Sequence, residues 1–413
     1  MKKKHECISR MEKPNFMPTN RYKSLLKLDF LFKALNRDLK LVFISNVVGA
    51  FGDGLYYFIL PLYFRTELGA TPAEVGILFT VLCLAAALTP IPGGILADKY
   101  DRKKVIVLGW LLWTPVPLIF SMTRHWTQAL PAVFMYGVLL GVPASSAYIA
   151  TSAQKEKMTV TFTTISFGWW LGYIFSPALG GYLSTLFGMR TVFFLASVFY
   201  ALCAVVLSLI SSQHAVRQPP KPTQSSLSPT PFKRKKILLW ALLFGAIMFI
   251  EVLVRPLVPQ FLEDIFLLDN FRIGVLGSIT FLGSAVLALC LGRVGDRWRK
   301  AGAVSVATIF CCVSTIILIS FNNFPTLGLA SFLMGPSYVI WSLIGAVTGS
   351  MAPEASRARW MSVPETAAMI GAFFAPYLGG VMYQSWAYGP FIFSIIITPI
   401  LSVLALTKPL KEI

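Results

Sequence analysis

Three charged side chains interrupt otherwise apolar runs: Asp53 in "NVVGAFGDGLYYFILPLYF", and Glu251 and Arg255 in "FIEVLVRPLVPQF". A charge at the centre of a bilayer costs roughly 2.5–3.5 kcal/mol on insertion scales, so one retained there faces a partner or a wet cavity. Desolvation penalises the ionised form of a carboxyl, which suits such a group to loading and unloading a proton. Helical spacing puts Asn46, Gly49, Asp53 and Tyr57 on one face, the expected wall of a central cavity. Glu251 and Arg255 stand four residues apart and can pair. The pair reads either as a structural ion pair or as a switch for substrate or protons, with Asp53 and Glu251 facing one shared cavity. Aromatic residues such as Phe51, Tyr56, Tyr57, Tyr63, Trp169 and Trp170 are candidates to line it. Glu365 is expected at a helix interface.

The elements that carry these groups follow from composition. The 413 residues are 56% hydrophobic and 13% charged, more apolar than a soluble domain requires. A membrane helix needs about 20 mostly apolar residues. Twelve candidates run near 41–64, 73–97, 105–122, 129–152, 159–187, 189–211, 237–261, 272–291, 303–320, 325–351, 360–383 and 389–406. The chain reads as an all-α membrane protein.

The formal charge of +18 would suit nucleic acid, but its placement argues against that partner. Of the 36 Lys and Arg residues, 31 gather in alternate segments; Arg65, Arg124, Arg190 and Arg272 lie in the others, and Arg255 is in a span. This asymmetry predicts a multi-pass protein of the cell (inner) membrane with both termini cytoplasmic. Basic loops facing anionic headgroups account for the charge.

The segment "QHAVRQPPKPTQSSLSPTPFKRKK" is rich in Pro, Ser, Thr and base and reads as a flexible linker dividing the spans six and six. A duplication is visible at an offset of 198 residues. Asp53 meets Glu251, Pro61 meets Pro259, Gly76 meets Gly274, Gly94 meets Gly292 and Asp98 meets Asp296. At 199, "SPALGG" meets "APYLGG", aligning Pro177, Gly180 and Gly181 with Pro376, Gly379 and Gly380. The expected organisation is an N-terminal segment 1–40, a six-helix half 41–211, a linker 212–236, a second half 237–406 and a tail 407–413. Residues before the first span form either an interfacial amphipathic helix or a loose basic tail. Parallel repeats of this kind are one transporter plan, with a solute site between the halves.

Two apolar runs end alike, in "GGILADKYDRKK" and "LGRVGDRWRK". Asp98 sits at a helix C-terminus, where the dipole disfavours an acid and favours Lys99, Arg102, Lys103 and Lys104. It therefore needs an outside partner, and Gly94 one turn earlier would let that partner approach. These residues resemble the loop signature of the major facilitator superfamily, G-x-L-A-D-[RK]-x-G-R-[KR], through Gly94, Leu96, Ala97, Asp98, Lys99, Arg102 and Lys103. Asp101 replaces the usual Gly. The second copy keeps Gly292, Asp296, Arg297 and Lys300. The resemblance implies a 12-helix fold of two pseudo-symmetric halves and a conformational latch, with Asp98 meeting the start of helix 11 and Asp296 the start of helix 5.

"FGWWLGYIFSPALGGYL" resembles the Gly-Pro-rich signature of the family's antiporter branches, and Pro and Gly there serve equally as packing or kink residues. The branches' usual helix-4 Arg is replaced by Gly137, which puts their usual proton circuit in doubt. No phosphate-binding G-x-x-x-x-G-K-[ST] occurs, and His5, His125 and His214 lie outside the spans without metal-ligand spacing. The chain is expected to be no enzyme, to use no cofactor or metal, and to act as a monomer. The leading expectation is a secondary transporter exporting drug-like solutes against protons. A proton symporter or facilitator for uptake is the alternative, and a non-transporting receptor or scaffold comes third. In a variant keeping Cys7 and a cysteine placed at Lys411 as its only thiols, both should be labelled from the cytoplasmic side alone; labelling from opposite faces would overturn the topology.

Overall fold

The computed structural model describes residues 35–154, 157–214, 231–297, 300–343, 347 and 357–407. The predicted amphipathic segment, most of the linker, the tail after Thr407 and the side chains of Asp296 and Arg297 lie outside the described residues. In the first half the helices are α1 (Arg37–Thr66), α2 (Pro72–Lys99), α3 (Arg102–Met122), α4 (Trp126–Ser152), α5 (Met158–Phe187) and α6 (Met189–Ser208). The second half holds α7 (Lys235–Phe266), α8 (Asn270–Gly295), α9 (Lys300–Ser320), α10 (Phe324–Leu343), α11 (Val363–Ser385) and α12 (Gly389–Ala405). Ten are long and apolar enough to cross a bilayer; α5 and α12, at 30 and 17 residues, complete the twelve.

Several spans are broken where the sequence places proline. α2 yields at Thr89 before Pro90, α3 at Thr114 before Pro115, and α7 tightens into a 3-10 turn at Arg255–Leu257 around Pro256. α4 opens between Gly137 and Gly141. A backbone group freed inside a bilayer needs a new partner. The Leu139 N–H donates to Thr89 Oγ1 at 2.8 Å, and Trp113 Nε1 donates to the Val138 carbonyl at 2.8 Å. The breaks of α2 and α4 thus satisfy each other.

α1 packs on α5 and α6, and α7 packs on α11 and α12, as the duplication requires. The halves meet along two symmetry-related seams, α2 with α11 and α5 with α8. The Gly-Gly pairs explain both. A Cβ on Gly180 would collide with Leu55 O of α1, and one on Gly181 with Asn270 O of α8. Correspondingly, Gly379 faces Leu253 O of α7 and Gly380 faces Pro72 O of α2. Each pair turns one glycine to its own half and the next to the other half. Beside Pro177, the Ala178 N–H donates across the seam to Ser278 Oγ at 3.0 Å.

One end of the bundle gathers Asn36, Asp38, Tyr148, Ser152 and Gln213 and is called the near end. There Asp101 caps α3, its carboxylate accepting from the Lys103 N–H at 3.0 Å and from the Gln213 N–H at 3.0 Å. This answers why an acid stands where the signature has glycine. Burial pushes its carboxyl up, but the Gln213, Ser212 and Lys103 hydrogen bonds outweigh that and hold it below the ordinary carboxylate range.

Gly380→Leu should wedge the seam apart and cost about 1–3 kcal/mol, read as a lower melting temperature. Gly94→Ala, where a Cβ meets open space, should stay within about 0.5 kcal/mol. Asp101→Ala should cost about 1 kcal/mol at pH 7. Because the folded-state value is depressed, its charge-dependent share is present above about pH 4 and disappears as pH falls through that lower value. An Asp101→Ala effect of equal size at pH 7 and at the acid limit of stability would contradict the assignment.

Candidate functional site

Asp53 is 6% exposed. It is flanked by two glycines that admit the neighbouring helices: a Cβ on Gly52 would stand 2.6 Å from Phe199 Cβ of α6, and one on Gly54 would strike Ser176 Oγ of α5. The close approach brings Tyr136 of α4, Tyr173 of α5 and Tyr200 of α6 to the carboxylate, and all three hydroxyls donate to it. Tyr56 extends the cage through a hydroxyl contact with Tyr200 at 2.9 Å. Among the described residues no cation pairs with Asp53. Three phenol donors hold the carboxylate in place, but none carries a compensating charge.

Asp53 therefore does not face an open cavity with Glu251, as the sequence suggested; it is sealed within the first half. The cavity lies on the other side of the tyrosines. A space of about 330 Å³ is lined by Asn46, Trp110, Trp113, Ser145, Ser146 and Trp169, with further residues of α3 and α4. Trp110 and Trp113 pack on Tyr200 at ring-centroid distances of 5.6 and 6.4 Å, and Trp169 packs on Tyr173 at 5.8 Å. One layer of indoles on phenols separates cavity from acid. Of the candidates on the α1 face, Asn46 lines this cavity and donates to Ile165 O at 3.4 Å, while Gly49 is filled by the Trp110 ring. Among the aromatic candidates Trp169 is on the wall, and Tyr56 and Tyr63 are core residues, 0% and 2% exposed.

In the second half, Glu251 is buried beside the Cys311 thiol. The expected Glu251–Arg255 ion pair does not close within 4.0 Å. The 3-10 turn at Arg255 departs from the α-helical spacing that the i, i+4 argument assumed. Arg255 Nη2 instead donates to Ser337 O at 2.6 Å, and the guanidinium stacks over Tyr338 at 4.4 Å. Tyr57 and Arg255 share the wall of a smaller cavity of about 110 Å³ between the halves. Rings of Tyr338, Phe281 and Tyr173 link that cavity to the Asp53 cage, at centroid distances of 5.0 and 4.5 Å.

The described hydrogen bonds, ion pairs and ring contacts joining the halves lie in the middle and at the far end. There Arg65 of α1 grips both carboxylate oxygens of Asp264 on α7, and Tyr383 of α11 donates to Asp264 at 2.8 Å. At the near end Pro90–Lys99 packs against α3 and α4 of its own half. Asp98 and Lys99 are exposed, and no hydrogen bond or ion pair of Asp98 is found among the described residues. A Cβ on Gly94 or Gly292 would meet nothing within 4 Å, whereas one on Gly93 would press on Leu140 O at 2.5 Å. The close approach expected at Gly94 is thus one residue earlier and within the half. Arg102 is engaged, donating to Thr151 Oγ1 and Gln213 Oε1 at 2.8 Å each, and also inside the first half. The side chains of 357–362, at the expected start of helix 11, and that of Asp296 lie outside the described residues.

Gly137 has a steric explanation. A Cβ there would collide with Leu82 O of α2, so the crossing of α2 and α4 leaves no room for any side chain. The tyrosine cage and the Arg65–Asp264 pair went unread in the sequence, because no local pattern ties their members together.

The family model described as Major Facilitator Superfamily matches residues 42–254 and again residues 240–412. The chain is 25% identical over 364 residues to the "Multi-drug resistance efflux pump PmrA" of Streptococcus pneumoniae, covering 85% of this chain and 90% of that one. It is 30% identical over 292 residues to the "Multidrug resistance protein MdtG" of Escherichia fergusonii, covering 67% and 70%. Among solved structures, the nucleoside transporter NupG shares the fold with a TM-score of 0.68 at 13% identity, covering 90% of this chain and 98% of that one. Two tandem matches, two glycine-lined seams and twelve spans agree: the chain belongs to the Major Facilitator Superfamily.

Proposed function

We propose that the chain exports drug-like, amphipathic compounds across the cell membrane in exchange for protons, as a monomer with both termini in the cytoplasm. The observation that carries this reading is an acid with no compensating charge, one ring layer behind a tryptophan-walled cavity. The multidrug efflux names of the relatives support the direction and substrate class. With the near end cytoplasmic, Arg65, Asp264 and Tyr383 close the outer side in this conformation. Substrate enters the cavity and lies against Trp110, Trp113 and Trp169, whose ring faces favour apolar and cationic groups. The charge on Asp53, when ionised, adds to that attraction. Outside, proton uptake at Asp53 removes the charge and weakens the hold. A ligand moves such an equilibrium only by its different affinity for the two states, and the proton supplies that difference.

In proteoliposomes loaded with an amphipathic dye, a pH gradient should drive dye against protons in the wild type. Asp53→Asn should lose at least tenfold of that flux while retaining dye–dye exchange; unchanged gradient-driven flux would remove Asp53 from the coupling. Dye moving with protons instead would favour the uptake reading. Breaking the outer pair by Arg65→Ala should raise labelling of an outward-facing cysteine about two- to fivefold, the yield of a partly exposed pair worth about 0.5–1 kcal/mol. Arg65→Asp with Asp264→Arg should restore wild-type labelling, and failure of both effects would discard the gate.

A further inference from the structure

We infer that the Arg255 cavity receives an anionic head group, a carboxylate or phosphonate, of the transported compound, so that substrates include aromatic acids and zwitterions. The inference rests on the transport reading and names a substrate class for it.

A guanidinium carries five N–H donors. For Arg255 the described partners are Ser337 O and the Tyr57 hydroxyl, and Nε has no partner. The hydroxyl of Ser337 is also without one. Two neighbouring residues therefore hold unspent donors, and an acceptor is what both lack. A buried cation without an acid partner is costly, and Glu251, the carboxylate one turn back, stays outside ion-pair reach. The Tyr338 ring steadies the guanidinium from one face at 4.4 Å without using its donors. The Nη donors not spent on Ser337 are left for the oxygens of a carboxylate or phosphonate, which guanidinium binds well.

The cavity has the size and position for this. Its roughly 110 Å³ lies between the halves, with Tyr57, Phe79 and Leu82 from the first and Arg255 and Tyr338 from the second. Drug-sized ligands occupy about 300–1,000 Å³, so this space takes a head group and leaves the body to the gap between the halves. The ring series Tyr338, Phe281, Tyr173 runs from Arg255 to the Asp53 cage. A compound with an acidic end, an aromatic middle and a basic end would match the sequence cation, rings, acid.

The test compares 2-naphthoate with its neutral isostere 2-naphthamide, by tryptophan fluorescence of the purified full chain in detergent. The wild type should bind naphthoate at least tenfold more tightly. Arg255→Gln should bring the ratio to about one with naphthamide binding unchanged, and Arg255→Lys, a point charge without the fork, should fall between. Ser337→Ala, a small change, should cut the ratio a few-fold and serves if Arg255→Gln misfolds. Equal binding of the two probes by the wild type, no naphthoate binding at millimolar concentration, or an undiminished ratio in Arg255→Gln would each overturn the inference. Dye export driven by a pH gradient is read separately, so its loss alone would sink the export reading and leave the naphthoate ratio to stand or fall by itself.

Discussion

A bilayer gives no water to a freed carbonyl, a stray N–H or a lone charge, and the structure is organised by that constraint. Where a helix opens or carries a proline, a side chain from another helix meets a nearby backbone group. Thr89 answers Leu139, Trp113 answers Val138 and Ser278 answers Ala178. These repairs fix which helices must be neighbours. Against this background the charged groups left without an ion pair stand out: Asp53, Glu251 and Arg255.

The duplication gave the two halves matching positions and the environments have since diverged. Asp53 and Glu251 occupy equivalent places in α1 and α7. One is held by three tyrosines, the other sits beside a cysteine with an arginine nearby but out of reach. The seams kept their symmetry because backbone contact tolerates no side chain. The interior lost it, because a cavity wall accepts many residues. The first half therefore presents indoles backed by an acid, and the second presents a cation backed by a ring.

Much of the fold was legible because its signals are local. Apolar length marked the spans, alternating basic loops suggested their sense, and the repeated Gly-Gly pairs marked the seams. The acids and Arg255 were legible as isolated charges in apolar runs. Their partners were not. Tyr136, Tyr173 and Tyr200 lie 83, 120 and 147 positions from Asp53, and nothing in their own segments marks them as its neighbours. The Arg255 spacing misled because a 3-10 turn replaced α-helical geometry at Pro256. Gly94 was read as a point of close approach, but it is Gly93 that makes one, to Leu140 of its own half. Asp101, a departure from the signature, proved to be the cap that ties the start of α3 to the chain after α6.

The seams carry one more implication. Where Gly181 meets Asn270 and Gly380 meets Pro72, the bearing surfaces are α-carbons and carbonyl oxygens. Such a joint has no rotamers to reshuffle when one lobe pivots on the other, so friction at the fulcrum is low. It is also too tight for an acyl chain to wedge into, and lipid is kept out of the hinge throughout the swing.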